Sequence, residues 1–359
     1  MRKENLLIGI VVVLTGILGI TGIGGKSIGT DFASYYVSAS IVRFEGAEKI
    51  YNIATFDKWR KKLGLPCGIY RYPPVWAMIV VPYTFLPFKV ALLIHQVILT
   101  IFLFFFWKIL FNLPFYQNNK IKYFTLFASL MFSGTVASIR VGQIDIIIAF
   151  LYIFSLYLIL RNNKLSPVFL SLSAIIKVTP GSAIIEFIKN KRFDFLIYFT
   201  ITILVIIVLS IILAGLSPWL GYIKSLNIIS KSNIPSSLTT TFSKVSSKLY
   251  NIWWLIPILA IIVIWTKLTK NIIYNWALLS WVIFLSTPIT NPSYYIFTLF
   301  PFYYFIQMNT SRKNTAVVCI LFAAFIIANL RNPFYTGNLI KPWMVVIAII
   351  ITLFSKREE

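Results

Sequence analysis

The sequence predicts an all-α polytopic membrane protein, and three observations carry that prediction. Mean hydropathy is +0.84, with 58% of residues hydrophobic and only 12% charged. Apolar runs of about 18 residues or more recur along the chain, each long enough to cross a hydrocarbon core about 30 Å thick. The formal charge is +23, from 33 Lys and Arg against 10 Asp and Glu, with many of the basic residues in short segments between apolar runs. In a soluble chain that balance would point to nucleic acid. Here cytoplasmic loops and anionic headgroups account for it, and no nucleic-acid partner is expected. The whole chain, 1–359, reads as one integral membrane domain with two long outer loops, 24–72 and 216–249.

The elements follow in order once the basic clusters are kept on the cytoplasmic side. Sixteen of the 33 basic residues, from Arg2 and Lys3 to Lys356 and Arg357, fit that placement together. The first span, about 6–23, follows MRKE and lacks a clear small-residue cleavage site, so it reads as uncleaved with the amino terminus inside. The loop 24–72 is then outside, with juxtamembrane helices. Residues 73–88, bounded by prolines, are too short to cross and read as a dip into the outer leaflet. Spans at about 90–111 and 123–139 enter and exit, RVGQID (140–145) forms an outer turn, and 145–161 enters. Residues 165–188 make two half-crossings that meet at Lys177, Thr179 and Pro180. The span at 195–215 exits into the second outer loop. Spans at about 250–266, 272–288, 293–307, 315–330 and 342–354 complete ten crossings, or twelve if the half-crossings count as two. Both termini are cytoplasmic. Ile, Lys and Asn richness points to an archaeal or bacterial cell membrane.

This threading brings unusual polar residues to one face. Asp31, Arg71, Arg140, Gln143, Asp145, Lys177, Asn233 and the 287–295 segment all fall outside. Asp31 reads either as an N-terminal cap of the helix that follows or as a catalytic carboxylate, and the two roles are compatible. Tyr35 and Tyr36, one turn on, face the same pocket or serve as interfacial aromatics. Arg140 suits a phosphate, or else snorkels and pairs with Asp145. Lys177 is an intramembrane cation beside a proline break, where irregular backbone is tolerated only if it lines a cavity. The loop at 232–245, SNIPSSLTTTFSKV, offers hydroxyls and an amide for sugar recognition, or acts as a solvated tether. His95, the one histidine, reads as packed or interfacial. Cys67 and Cys319 fall in an outer loop and an apolar span and are not expected to pair. No metal-ligand spacing, phosphate-binding glycine loop or Ser-His pair is present, so no cofactor or metal is expected.

Four strings carry a resemblance: DFASYYVSASIVRFEGAEKIYN, YRYPPVWAMIVVPYTFLPF, VASIRVGQIDIIIAFLYIFSLYLILR and SLSAIIKVTPGSAII. In order and spacing over roughly 29–185, the chain resembles glycosyltransferase family 87. These are polyprenyl-phosphate-sugar-dependent mannosyltransferase-like and arabinosyltransferase-like enzymes of the GT-C fold. A looser match continues through SNIPSSL (232–238) and STPITNPSYYIF (286–297). The resemblance implies Asp31 as general base. It also implies a lipid-phosphate donor near Gln143 and Lys177-Val178-Thr179-Pro180; Arg140 and Arg71, threaded to the same face, read as further phosphate ligands. Tyr35, Tyr36, Gln143, Asp145 and Asn233 would face substrate. Many relatives carry a histidine where this chain has TPITNPSYY (287–295), so Asn291, Tyr294 or Tyr295 is the hydrogen-bonding substitute.

The expected function is transfer of a mannose-like hexose or a pentose from a polyprenyl (dolichyl-type) phosphate to a lipid- or glycan-linked acceptor on the extracytoplasmic face. The rivals are a lipid-linked sugar transporter or flippase and a catalytically silent envelope scaffold. Transporters place coupling residues near the midplane and often show repeats, and no repeat is evident here.

Overall fold

The computed structural model describes residues 2–22, 28–115, 117–130, 133–230, 255–285 and 296–308. Among them the regular structure is all helical. The order is α1 (Arg2–Ile20), α2 (Thr30–Glu45), α3 (Ile53–Leu63), α4 (Pro74–Val80), α5 (Phe88–Phe111) and α6 (Asn119–Leu130). There follow α7 (Ser133–Val141), α8 (Asp145–Ile159), α9 (Ser166–Ile176), α10 (Ile184–Lys189), α11 (Phe193–Ala214) and α12 (Ser217–Ser230). Three further helices span Leu255–Lys267, Ile272–Leu285 and Ile296–Met308.

Helix α8 is the hub. It is apolar all round and mostly buried, which suits a central position, and it packs on α5, α9 and the helix Ile296–Met308. Its seam with α9 is clasped by two serines. Ser155 Oγ donates to the Ser166 carbonyl at 2.8 Å, and Ser166 Oγ donates to the Ser155 carbonyl at 2.8 Å. The Tyr152 hydroxyl donates to the Trp276 carbonyl at 3.0 Å and ties α8 to the helix Ile272–Leu285. On α5, residues Leu92, Leu99, Leu103, Phe106 and Leu110 recur at helical spacing to form a buried stripe. Neighbouring α1 and α8 both pack on this helix.

Among the described residues, three helices are long and apolar enough to cross a membrane: Lys3–Ile20, Phe88–Phe111 and Phe193–Ala214. A fourth crossing arises if α6 and α7, bent by 41°, count as one. The expected crossing at 145–161 is a helix of 15 residues, which at 1.5 Å per residue rises roughly 22 Å, less than a full hydrocarbon core. The expected crossings at 250–266, 272–288 and 293–307 are helical over their described parts, Leu255–Lys267, Ile272–Leu285 and Ile296–Met308. Helix α11 buries only Phe195, Phe199 and Ser210, leaving an apolar surface that suits lipid.

The stretch 24–72 carries α2 and α3. Asn52 caps α3 by accepting the Thr55 amide at 3.0 Å. Residues 73–88 form α4 followed by a 3-10 turn, Val81–Phe85, with Pro74 at the helix start. Residues 165–188 hold α9 and the start of α10, separated by a 3-10 turn, Thr179–Ala183. The second polar stretch differs from a plain loop: residues 217–230 continue as α12, which packs near Ala47–Lys49 and α4. SPWLGYIKSL keeps apolar residues on a helical period, and that pattern outweighs the polar average of the segment. The expected spans 315–330 and 342–354, and Cys319, lie outside the described residues, while Cys67 is a buried free thiol.

Candidate active site

The site is built on the turn between α7 and α8. Helix α7 ends in a Schellman motif. The Gly142 amide donates to the Ile139 carbonyl at 3.2 Å and the Gln143 amide donates to the Ser138 carbonyl at 2.7 Å. Gly142 takes the left-handed conformation, φ +70°, that this motif requires. A Cβ there would also stand 2.6 Å from Phe32 Cβ, so glycine answers both backbone and packing demands.

Two other elements grip the same turn. From α5, Gln96 Nε2 donates to the carbonyls of Ile139 and Arg140 at 3.0 and 3.3 Å, and His95 Nε2 lies 3.1 Å from the Gly142 carbonyl. His95 also stacks on Phe32 with ring centroids 4.7 Å apart. From the start of α2, the Gly29 amide donates to the Arg140 carbonyl at 2.8 Å. The first turn of α2 is thereby fixed beside the first turn of α8. Asp31 lies in one and Asp145 in the other, where helix N-termini favour carboxylates. No side chain caps α2, which begins at Thr30 after Gly29, so Asp31 sits inside the first turn rather than at the cap.

The third contributor is the broken segment after α9. The helix stops at Lys177, whose backbone turns extended (φ −147°, ψ 115°), and Pro180 follows in the 3-10 turn. Lys177 Nζ meets Asp145 Oδ1 at 2.5 Å. The pair is deeply enclosed, with side-chain exposures of 8% and 0%. Asp31 is half-buried next to this pair. Burial pushes its carboxyl up to about 7, the Asp145 carboxylate adds to the rise, and Lys177 and Arg71 pull it back. A carboxyl so placed exchanges a proton near neutrality.

A polar and aromatic wall borders the carboxylates. The hydroxyls of Tyr35 and Tyr72 both donate to Gln143 Oε1, the second at 2.8 Å. The Tyr35 ring meets Tyr72 and Trp76 edge-on at 5.1 and 5.8 Å. The segment carrying Arg71 is held by its own tyrosines. The Tyr70 hydroxyl donates to the Pro73 carbonyl at 2.9 Å, and the Tyr51 hydroxyl donates to the Tyr72 carbonyl at 2.6 Å.

The expected site residues therefore divide. Asp31, Tyr35, Gln143, Asp145, Lys177 and Arg71 are linked by hydrogen bonds or by charge. Tyr36 points elsewhere, its hydroxyl donating to the Leu86 carbonyl at 2.8 Å. Arg140 is buried, 2% exposed, and its carbonyl serves the turn. Asn233, Asn291, Tyr294 and Tyr295 lie outside the described residues. Tyr72 and Gln96 join the site without having been singled out, and His95, expected to be packed or interfacial, is packed against it at 1% exposure. Tyr72 has a sequence signal in the YRYPP string, whereas the roles of His95 and Gln96 depend on α5 reaching the turn.

The apolar helices and the enclosed charge cluster define an integral membrane protein with a polar site assembled from helix ends. More closely, the model of glycosyltransferase family 87 matches residues 70–287, over half of the chain, and the chain belongs to that family. It is a membrane glycosyltransferase, with a sugar donor and an acceptor as its substrates. The matched stretch holds Arg71, Tyr72, Gln143, Asp145 and Lys177, while Asp31 and Tyr35 precede it. A search of curated proteins returned no match.

Proposed function

We propose that this glycosyltransferase, a single multi-pass domain of GT-C type, moves a sugar from a polyprenyl-phosphate donor to an acceptor hydroxyl. The acceptor is lipid- or glycan-linked, and the sugar is a mannose-like hexose or a pentose. The observation that carries this reading is the meeting of Asp31 with the Lys177–Asp145 pair and Arg71 at one junction of helix ends. It supplies a proton acceptor and cations in one place, which sugar transfer from a lipid phosphate demands.

In the reaction, the acceptor oxygen bonds to the anomeric carbon and the bond from that carbon to the phosphate oxygen breaks. The acceptor proton passes to Asp31, and the polyprenyl phosphate leaves with the bonding electron pair. General-base assistance of this kind contributes typically ~10²–10⁴-fold. Lys177 and Arg71 lie where charge on the departing phosphate needs stabilising. The Tyr35–Gln143–Tyr72 wall offers amide and hydroxyl groups to the sugar. The charge-derived threading supports a cell-membrane location with this junction on the extracytoplasmic side and both termini in the cytoplasm.

The test uses the purified protein in liposomes with labelled polyprenyl-phosphate sugar and a membrane glycan extract as acceptor. Label moves from lipid to acceptor if the reading is right, and Asp31→Asn abolishes the transfer while the protein remains folded. Movement of the unaltered donor across the bilayer would instead establish the transporter reading. A fully active Asp31→Asn enzyme would remove Asp31 from the chemistry.

A further inference from the structure

Asp145 is an unusual substrate ligand because none of it is exposed. Its Oδ1 is engaged by Lys177 at 2.5 Å, and its Oδ2 is buried with no hydrogen-bond partner among the described residues. Half-buried Asp31, on the adjacent helix end, is the more accessible carboxylate. We infer that Asp145 is a positioning residue that acts through its neighbours, holding Lys177 against the start of α8 and setting a second negative charge beside Asp31. The inference rests on the reading of Asp31 as the base.

The groups facing Asp31 are Asp145 from α8, Lys177 from the break after α9 and Arg71 from the segment before α4. Tyr35 on its own helix and the Cys67 thiol also lie within its field. With Asp31 ionised, two acids face two cations among the described residues, and their charges balance. Removing the Asp145 charge leaves Asp31 alone with two cations, which favours its ionised form. Removing the Lys177 charge leaves two acids with one cation, which favours its protonated form. Enclosure keeps these interactions from being screened as surface charges are. A residue that merely filled space, or merely touched the sugar, would not produce shifts of opposite sign.

The experiment titrates Asp31 directly, by infrared difference spectroscopy of the protonated-carboxyl band in the full-length protein in lipid. The Asp31 signal is the one absent from Asp31→Asn. Asp145→Asn is expected to lower the titration midpoint by about one pH unit or more, and Lys177→Met to raise it by a similar amount. The acid limb of kcat/KM moves the same way in each variant that retains activity. The double variant Asp145→Asn/Lys177→Met removes the pair together and keeps side-chain volume, so its midpoint returns toward that of the wild type. It also serves if a single variant does not fold. Unchanged midpoints, single-variant shifts of the same sign, or a double variant displaced as far as either single one would overturn the inference. Failure of the base reading is separate: it appears as full transfer by Asp31→Asn, whereas the infrared midpoints judge the charge coupling by themselves.

Discussion

Replacing Gly142 by alanine tests how tightly the site depends on its turn. The added Cβ would lie 2.6 Å from Phe32 Cβ. Carbon atoms rest at about 3.5–4.0 Å, so the two must separate by roughly 1 Å. Phe32 Cβ is bonded directly to the α2 backbone and cannot swing aside, so the shift passes to its chain neighbour, Asp31. A displacement of about 1 Å at a reacting group costs about 10²-fold in rate. Left-handed backbone adds a stability cost of about 1–2 kcal/mol for an L-residue. Gly64→Ala is the matched control, because Gly64 also has positive φ (+64°) but its Cβ would meet nothing within 4 Å. It incurs the backbone cost without the clash. Sugar transfer and thermal unfolding, measured on both variants in detergent, separate the two effects. We expect both to melt lower and only Gly142→Ala to lose most of its turnover. Equal activity in the two variants would refute the idea that the turn sets the position of Asp31.

Other expectations follow from the same geometry. Because a base must be unprotonated, transfer should rise with pH and reach half its maximum near 7, where the Asp31 carboxyl titrates; a rate flat from pH 5 to 8 contradicts this. The same shift has a stability consequence of fixed sign. A folded-state value raised above the unfolded one of ~3.9 gives stability that is complete below about pH 4 and lost as pH rises through about 7. Asp31→Asn should therefore gain in melting temperature over the wild type between pH 5 and pH 8, and a constant difference across that window would count against it. Gln143→Leu removes the acceptor shared by Tyr35 and Tyr72 and should cost about 1–3 kcal/mol, read by chemical denaturation, with a marked loss of transfer. Ser155→Ala breaks the clasp far along α8 and should lower stability by about 1 kcal/mol while kcat stays within twofold of the wild type.

What the sequence made legible was local. Unbroken apolar runs located α5 and α11, and prolines marked the short elements at 73–88 and 165–188. Gly142 announced a turn, and Lys177 beside Pro180 announced a cation in irregular backbone. Less legible was which partners these residues choose. Lys177 joins Asp145 across the α8–α9 pair, and Tyr72 meets Gln143 across a separation of 71 residues. Such choices depend on packing between distant helices, and no periodicity encodes them. Tyr35 and Tyr36 show the limit at close range. They are adjacent in sequence, yet helical geometry sends one to Gln143 and the other to the Leu86 carbonyl. The polar average of 216–249 likewise concealed α12.

The clip between the Gly29 amide and the Arg140 carbonyl has a consequence for how the protein is made. It joins the start of α2 to a turn synthesised much later, and Lys177 emerges later still. At about 5–20 residues per second, Asp31 waits roughly 7–30 s for Lys177. During that interval Arg71 is the one of its two facing cations already synthesised. Hydration then carries much of its solvation, so α2 should dock after α7 and α8 have inserted. Nascent chains arrested before residue 140 should react at Asp31 with a carboxyl-modifying reagent faster than the finished enzyme, in which Asp31 is half-buried.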